Sequence, residues 1–403
     1  MDKVVKIGIL AETKNPPDRR VAVTPELGVR ILNKYNNIEL YFQPSKLRCY
    51  SDSEYQKAGL ILKDDLSECD LLIGIKEVNL QTFIKGKKYM FFAHVAKKQP
   101  YNKKMFIEMM NKKITLIDYE YITNQQGNRV VAFGKWAGIV GAYNGLLTYG
   151  KKYNLFDLKR AKDCFDFEEM KTELKKVKLP PIKILITGKG RVGKGAIETL
   201  QPLNLRQVTS NEFLTKSFDE PVLCNIDADV YTKRKDGSEF EFQHFFKNPE
   251  QYTENFGEFT KVTDLYTACH FWDPKSPQLI YSEDYKKPDF KISVISDVSC
   301  DIKQPIASTL RASTIDEPFY DYNPFTENEE KPFSNIKNVT VVAIDNLPGE
   351  LPRDSSEYFG NELLNNVYDS IFKEDTEGLI YRATILKQGQ ITERYSYLED
   401  YIK

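Results

Sequence analysis

Ile182-Lys183-Ile184-Leu185-Ile186-Thr187-Gly188-Lys189-Gly190-Arg191-Val192-Gly193-Lys194-Gly195-Ala196-Ile197 decides the fold. An apolar, β-branched run ends at Gly188. A Gly-x-Gly-x-x-Gly follows, and then an apolar-periodic run from Ala196 to Leu200 that reads as a helix. Strand, glycine turn and helix in this order are the context in which the pattern binds a dinucleotide. Gly188 permits a tight turn. Gly190 lets backbone approach a pyrophosphate, and Gly193 lets the helix sit close on the strand. Arg191, Val192 and Gly193 open the helix, whose free N–H groups and partial positive charge suit phosphates. Glycine-rich turns without a ligand share the bare pattern, so the turn alone does not assign a cofactor.

In NAD-binding folds an acidic residue about twenty positions further on takes the ribose 2′-hydroxyl. The next strand reads as Leu205 to Thr209 and ends at Thr209-Ser210-Asn211, with Glu212 just beyond and no carboxylate at the strand end. The expectation is a nicotinamide dinucleotide, NAD or NADP.

The 403 residues suggest two domains or three, and an apolar content of 41% is enough for substantial cores. With 57 basic and 58 acidic residues, the net charge of −1 does not suit nucleic acid or an anionic membrane surface. Cys49, Cys69, Cys164, Cys224, Cys269 and Cys300 form no C-x-x-C and no metal-ligand spacing with His, so no metal site is expected. No apolar run reaches membrane-spanning length. The N-terminus reads directly into a strand, and the expectation is a cytoplasmic protein without signal or transit peptide.

Strands are predicted at Val4–Leu10, Ile38–Phe42, Asp70–Ile75, Tyr89–Ala93 and Ile114–Tyr119, alternating with helices that include Pro25–Tyr35, behind the cap Thr24, and Tyr101–Asn111. Such alternation predicts an α/β protein with parallel sheets. Trp136–Tyr149, rich in small residues, reads as a helix leaving the first domain. Asp229–Lys261 is very polar and reads as an exposed insertion. Strands resume near Leu265–Ala268, Ile292–Val298 and Val339–Ile344. The expected division is a substrate domain at 1–136 and 355–403, and a dinucleotide-binding domain at 137–354.

Hydride transfer needs a proton donor and acceptor near the substrate, and the chain has only His94, His244 and His270. His94 ends the apolar strand Tyr89–Ala93, and Lys76 ends Asp70–Ile75. Carboxyl ends of strands are where α/β proteins place ligands. A lysine drawn into a cleft loses hydration, its pKa falls, and it can act as a base. Arg20 and Arg129 are candidate carboxylate clamps, because a guanidinium fork matches a carboxylate. Taken singly, each of these residues also fits a structural histidine, a snorkelling lysine or a surface ion pair.

Together the motifs carry a resemblance. Ala11-Glu12-Thr13-Lys14 and Arg20-Val21-Ala22-Val23-Thr24-Pro25 are similar to the opening of the alanine dehydrogenase and saccharopine dehydrogenase group. Gly74-Ile75-Lys76-Glu77, Phe91-Phe92-Ala93-His94, Gln99, Ile117-Asp118-Tyr119-Glu120 and Arg129 to Gly138 resemble the lysine-forming saccharopine dehydrogenases more closely. Ser296-Asp297-Val298-Ser299-Cys300-Asp301 and Ile344 to Arg353 match the same group, and the second half looks like the lysine–2-oxoglutarate reductase half of bifunctional enzymes.

The resemblance implies two Rossmann-like domains with a cleft between them. It implies an oxidoreductase acting on a CH–NH group, which interconverts saccharopine with L-lysine and 2-oxoglutarate using NAD or NADP. It implies Lys76 as general base and His94 as acid–base catalyst. Arg20, Gln99, Glu120, Arg129 and Phe133 would meet the substrate. Asp297, Ser299, Ile344, Asp345, Asn346 and Leu347 would line the nicotinamide. Its partners would be small molecules. An alanine-dehydrogenase-like enzyme would use the same Lys and His, and a non-catalytic dinucleotide-binding protein would need neither.

Overall fold

The computed structural model describes residues 4–403. It divides into two compact units, residues up to Phe133 together with Pro352–Lys403, and Gly134–Leu351.

The first unit is built on one sheet. Strands β1 (Val5–Ile9), β2 (Ile38–Phe42), β3 (Ile61–Leu62), β4 (Leu71–Ile73), β5 (Lys88–Phe91) and β6 (Thr115–Asp118) are parallel and lie in the order β3-β2-β1-β4-β5-β6. This is the doubly wound order, with its reversal between β1 and β4. The tail adds Thr384–Lys387 antiparallel to β6, and Gln390–Ile391 beyond it. Apolar residues cover both faces of the sheet. Ile7, Leu27, Ile31, Ile73, Phe359 and Leu363 belong to one core, and Leu72, Phe91, Phe106 and Leu116 to the other.

Helix α1 (Pro25–Lys34) starts as its sequence suggests, with Thr24 Oγ1 accepting the Leu27 N–H at 3.2 Å and Pro25 in the first turn. Helix α2 spans Asp52–Lys57 and α3 spans Lys103–Asn111.

The second unit opens with α4 (Gly134–Tyr153), followed by α5 (Phe167–Leu174). Strand β7 (Lys183–Thr187) then leads through the glycine turn into α6 (Arg191–Leu200). The remaining strands are β8 (Arg206–Gln207), β9 (Val222–Ile226), β10 (Thr232–Arg234), β11 (Tyr252–Glu254), β12 (Leu265–Ala268), β13 (Val294–Asp297), β14 (Phe319–Tyr322), β15 (Glu329–Glu330) and β16 (Val339–Val342). The main sheet runs β15-β14-β16-β13-β12-β7-β9-β8, with β14 antiparallel to both β16 and β15 and every other neighbouring pair parallel.

The strand order adds a fact that the sequence did not address, and one expectation changes. The strand next to β7 is β9, while β8 is two residues long and lies at the sheet edge. The polar stretch 229–261 is not wholly exposed. It forms the β10–β11 hairpin and buries Tyr231, Phe245, Tyr252, Phe256 and Phe259 in the second unit's core. Its charges cluster at the hairpin turn, which masks the aromatic spacing.

Helices α4 and α6 touch backbone to backbone. A Cβ on Gly138 would fall 1.8 Å from the Val192 carbonyl oxygen, and one on Gly195 would fall 2.0 Å from that of Lys135. A Cβ on Gly190 would meet nothing within 4 Å. Gly138→Val should therefore separate the helices and cost at least about 2 kcal/mol of stability. Gly190→Ala should change it by less than about 0.5 kcal/mol. Denaturant unfolding of the two variants checks both values.

Candidate functional site

At the reversal of the first sheet, the Glu12 carboxylate lies across the ends of β1 and β4. It accepts the Ile75 N–H at 2.6 Å and the Lys76 N–H at 2.9 Å. Burial pushes Glu12 up to about 8, against the lowering effect of its two backbone donors. The Lys76 ammonium sits in a cationic neighbourhood. Its pKa falls below the ordinary lysine value, first through burial and then through Arg20 and Lys14, while Asp18 and Glu77 oppose the shift.

Arg20 is buried and its fork is held by Asp18, with Nε to Oδ1 at 3.0 Å and Nη2 to Oδ2 at 2.6 Å. Burial alone would raise Asp18, but the Arg20 charge and hydrogen bonds hold it well below the usual carboxylate range. The Arg20 guanidinium also lies 4.2 Å from the centre of the Phe133 ring, which stacks on Phe359 at 4.4 Å.

His94 follows β5 with φ +53°, in the left-handed region. Non-glycine residues reach that region infrequently and are held there by their surroundings. Asp118, fully buried at the end of β6, accepts the Ala93 N–H at 3.2 Å and the Glu120 N–H at 2.9 Å. Burial pushes Asp118 up to about 7.

The pairing of β4 with β5 continues past the strand ends, where the Phe92 N–H donates to the Ile75 carbonyl at 3.0 Å. This places the segments carrying Lys76 and His94 side by side. Glu77, next to Lys76, approaches His94 Nδ1 at 3.5 Å and Lys14 Nζ at 3.3 Å. Burial would raise Glu77, but the His94 bond and the Lys14 charge bring it down to about 2.

The other candidates fall into place around this edge. Glu120 is buried and pairs with Lys97 at 2.7 Å and with Arg129. The side-chain oxygen of Gln99 is buried without a hydrogen-bond partner among the described residues, and its carbonyl accepts the Tyr401 hydroxyl at 2.5 Å. Both arginines proposed as clamps are thus engaged with carboxylates. Glu12, Asp18, Glu77 and Asp118 escaped the sequence reading as site residues. Asp18 and Glu77 stand near Arg20 and Lys76 in sequence and Asp118 ends a strand, which were the available signals, whereas Glu12 is distant in sequence from the amides it accepts.

On the second unit, the glycine turn can be tested residue by residue for its fit to a dinucleotide. Gly188 has φ +90°, and a Cβ there would fall 2.6 Å from the Cys269 carbonyl oxygen. A Cβ at Gly193 would fall 1.9 Å from the Gly188 carbonyl oxygen. Fold geometry therefore demands both glycines. Nothing in the protein demands Gly190, and the open space over it is what an approaching pyrophosphate needs. Asn225 Nδ2 braces the turn by donating to the carbonyls of Gly188 at 3.0 Å and Ile186 at 3.2 Å.

Asp297 is buried, and its carboxylate accepts the Ser299 N–H at 3.0 Å, the Ser299 hydroxyl at 2.6 Å and the Thr309 hydroxyl at 2.7 Å. It shapes the loop that carries Ser299. Ile344 bridges to Ser313, and Leu347 begins a buried 3-10 turn after β16, with Asp345 exposed between them. These three segments follow the carboxyl ends of β7, β13 and β16, on one edge of one sheet. His270, at the end of β12, is buried with Nδ1 2.7 Å from Thr187 Oγ1, and burial lowers it to about 4. His244 bonds to Tyr252 at 3.0 Å in the hairpin region.

Among the described residues no helix is long and apolar enough to cross a membrane. Along the sequence, the chain is 29% identical over 97% of its length to 41% of an alpha-aminoadipic semialdehyde synthase from Arabidopsis thaliana. It is 28% identical over 96% of its length to 47% of the mitochondrial alpha-aminoadipic semialdehyde synthase of Bos taurus. The chain thus spans less than half the length of these relatives. It is also 27% identical, over 96% of its length and 97% of the relative, to a saccharopine dehydrogenase (NAD+, L-lysine-forming) from Yarrowia lipolytica. In fold it matches an L-alanine dehydrogenase with a TM-score of 0.66 and 14% identity, over 99% of this chain and 100% of the other. A transhydrogenase from Sinorhizobium meliloti gives a TM-score of 0.57 and 15% identity over 96% and 98% of the two chains. The alanine dehydrogenase/PNT N-terminal domain family matches residues 8–140 and the corresponding C-terminal domain family residues 165–398, so the chain belongs to the alanine dehydrogenase/PNT family.

Proposed function

We propose that this chain is a lysine-forming saccharopine dehydrogenase, interconverting saccharopine, NAD(P)+ and water with L-lysine, 2-oxoglutarate and NAD(P)H. The observation that carries the reading is one sheet edge on which a lysine of lowered pKa and a histidine held in left-handed backbone follow neighbouring strands, with Glu77, next to Lys76 in sequence, approaching His94. The names of the relatives from Yarrowia lipolytica and Arabidopsis thaliana support the substrate class.

A nicotinamide dinucleotide, when bound, supplies the hydride acceptor. Gly188, Gly190, Arg191, Val192 and Gly193 would hold its pyrophosphate. Asp297, Ser299, Ile344, Asp345, Asn346 and Leu347 would border the nicotinamide. Neutral Lys76 takes the proton of the secondary amine as the adjacent carbon loses hydride, which leaves an imine in the substrate. Protonated Lys76 gives its proton back to the imine nitrogen as water adds to the carbon, and His94 takes a proton from that water. His94 then gives its proton to the carbinolamine nitrogen while neutral Lys76 takes the hydroxyl proton, so that the C=O bond forms as the C–N bond breaks, releasing lysine and 2-oxoglutarate and leaving one proton for solvent.

Glu77 holds His94 through Nδ1, which leaves Nε2 for this transfer. Saccharopine carries three carboxylates. Arg20 and Arg129 would bind two of them, Arg20 while Asp18 holds its fork and Arg129 by exchanging Glu120 for substrate, with Gln99 and Phe133 completing the wall. Glu120 moderates the positive charge while the site is empty of substrate.

Lysine plus 2-oxoglutarate should support NAD(P)H oxidation, and pyruvate plus ammonia should be poor. The reverse result would move the chain to alanine dehydrogenase chemistry. Lys76→Met and His94→Gln should lower kcat on the order of 10²–10⁴-fold, the range for lost acid–base catalysis. Arg129→Ala should mainly raise KM for the carboxylate-bearing substrate.

Saccharopine oxidation should depend on pH through Lys76. Only the neutral amine accepts a proton, so kcat/KM rises with pH, with its inflection below the ordinary lysine range because burial and neighbouring cations lower the pKa. Lys76→Met should abolish this rising limb in the pH profile.

Gly190→Val should weaken dinucleotide binding by equilibrium titration while leaving the unfolding transition in place, because the space it fills is ligand space. Normal binding by that variant would make the turn purely structural.

A further inference from the structure

The loop that follows β5 is irregular at both ends. His94 has φ +53° and Lys98 has φ +55°, so two non-glycine residues of one short loop lie in the left-handed region. Such residues stay there where surrounding contacts hold them. At the start of the loop those contacts come from nearby elements. Asp118 accepts the Ala93 N–H, and Asn102 Nδ2 donates to the Ala93 carbonyl at 2.9 Å. Further on, the loop carries Gln99 and Lys97, which pairs with Glu120. This half belongs to no strand, and Lys97 and Lys98 are exposed.

Its support comes from the other end of the chain. The tail runs through a 3-10 turn (Glu393–Leu398) into a short helix (Glu399–Ile402). Tyr397 and Tyr401 are spaced so that their side chains share one face of a helical turn. The Tyr397 hydroxyl donates to the Ala96 carbonyl at 3.0 Å, and the Tyr401 hydroxyl donates to the Gln99 carbonyl at 2.5 Å. These carbonyls bracket Lys98, whose ammonium lies 5.6 Å from the centre of the Tyr397 ring. With both carbonyls held, the backbone between them cannot relax to the commoner right-handed form without losing a bond to the tail. The tail is anchored independently of these two hydroxyls. Tyr395 and Leu398 are buried in the core that contains Phe106, and the Tyr401 ring packs on Phe106 at 6.1 Å. The Tyr395 hydroxyl donates to the Arg382 carbonyl at 2.7 Å, and Arg382 Nε donates to the Thr123 carbonyl at 2.9 Å. Thr123 bridges to Arg129. One tail therefore reaches both the loop with Lys97 and Gln99 and the segment with Glu120 and Arg129.

We propose that Tyr397 and Tyr401 are positioning residues, which hold the loop through the Ala96 and Gln99 carbonyls so that Gln99 and the Lys97–Glu120–Arg129 cluster keep a substrate-binding shape. They act through the backbone and not on the substrate itself. This role presupposes the saccharopine reading of the edge, in which Gln99, Glu120 and Arg129 meet the substrate. His94 has its own supports in Asp118 and Glu77. Loss of the tail bonds therefore weakens substrate binding before it slows proton transfer.

Two measurements on the full chain test this role. The first needs no substrate and follows amide hydrogen exchange over residues 92–102 by mass spectrometry. Tyr397→Phe and Tyr401→Phe keep the rings and remove only the donors. Each should speed exchange in that segment about five-fold, the size of one neutral hydrogen bond, and leave residues 183–200 unchanged. The second is saccharopine oxidation. Each variant should raise KM for saccharopine about five-fold, with kcat within about two-fold and KM for the dinucleotide unchanged. Tyr381→Phe, an exposed ring on the helix Leu379–Ala383, should change neither exchange nor kinetics. Unchanged exchange over 92–102, or a fall in kcat at unchanged KM, overturns the proposal. Faster exchange throughout the chain marks a purely structural loss and overturns it as well. A wild type that does not oxidise saccharopine removes the reading of the reaction, and the exchange result then decides the hold of the tail on the loop by itself.

Discussion

The buried Glu12 carboxylate is the constraint on which the first unit's site depends. It joins two strands that diverge at the sheet reversal by accepting consecutive N–H groups of Ile75 and Lys76. Buried and left unpaired, each of those donors would cost about 1–3 kcal/mol. Once they are held, the direction of Lys76 and Glu77 is set. Glu77 then sets His94, and Asp118 fixes the unusual backbone of His94 from the other side. Buried carboxylates therefore do at this edge what loop length alone cannot do. They hold irregular backbone against a regular sheet.

A second consequence is electrostatic. Lys14, Arg20, Lys76, Lys97 and Arg129 are gathered near one edge, and Asp18, Glu77 and Glu120 answer them. A buried fork such as Arg20–Asp18 keeps its geometry because removing either member strands a charge. The edge thus carries dense positive charge held in fixed geometry by its carboxylates.

Much of the architecture was legible in the sequence because it rests on local signals. The apolar run ending at Gly188, the Thr24-Pro25 cap and the strand–helix alternation each depend on neighbouring residues, and the α/β class with parallel sheets followed from them. The order of β8 and β9 did not follow, because which strand lies beside β7 is a non-local choice that a two-residue edge strand hides. The aromatic core of the hairpin region was masked by the charges around its turn. At the first sheet edge, Lys76 and His94 were readable as strand ends. The carboxylates that hold them were not, because Glu12 lies 63 positions from the Ile75 amide it accepts.

The first unit is interrupted in sequence, and this bears on how the chain is made. Its core pairs Ile7, Leu27 and Ile73 with Phe359, Leu363 and Tyr368, which the ribosome delivers only after the whole second unit. With roughly two hundred residues between the two parts, synthesis at about 5–20 residues per second leaves the early strands without their covering helix for tens of seconds. The second unit is continuous and can complete its sheet during that interval. The nascent chain therefore acquires its glycine turn before it acquires the finished edge that carries Lys76 and His94, and the unfinished sheet is the part most in need of protection by chaperones.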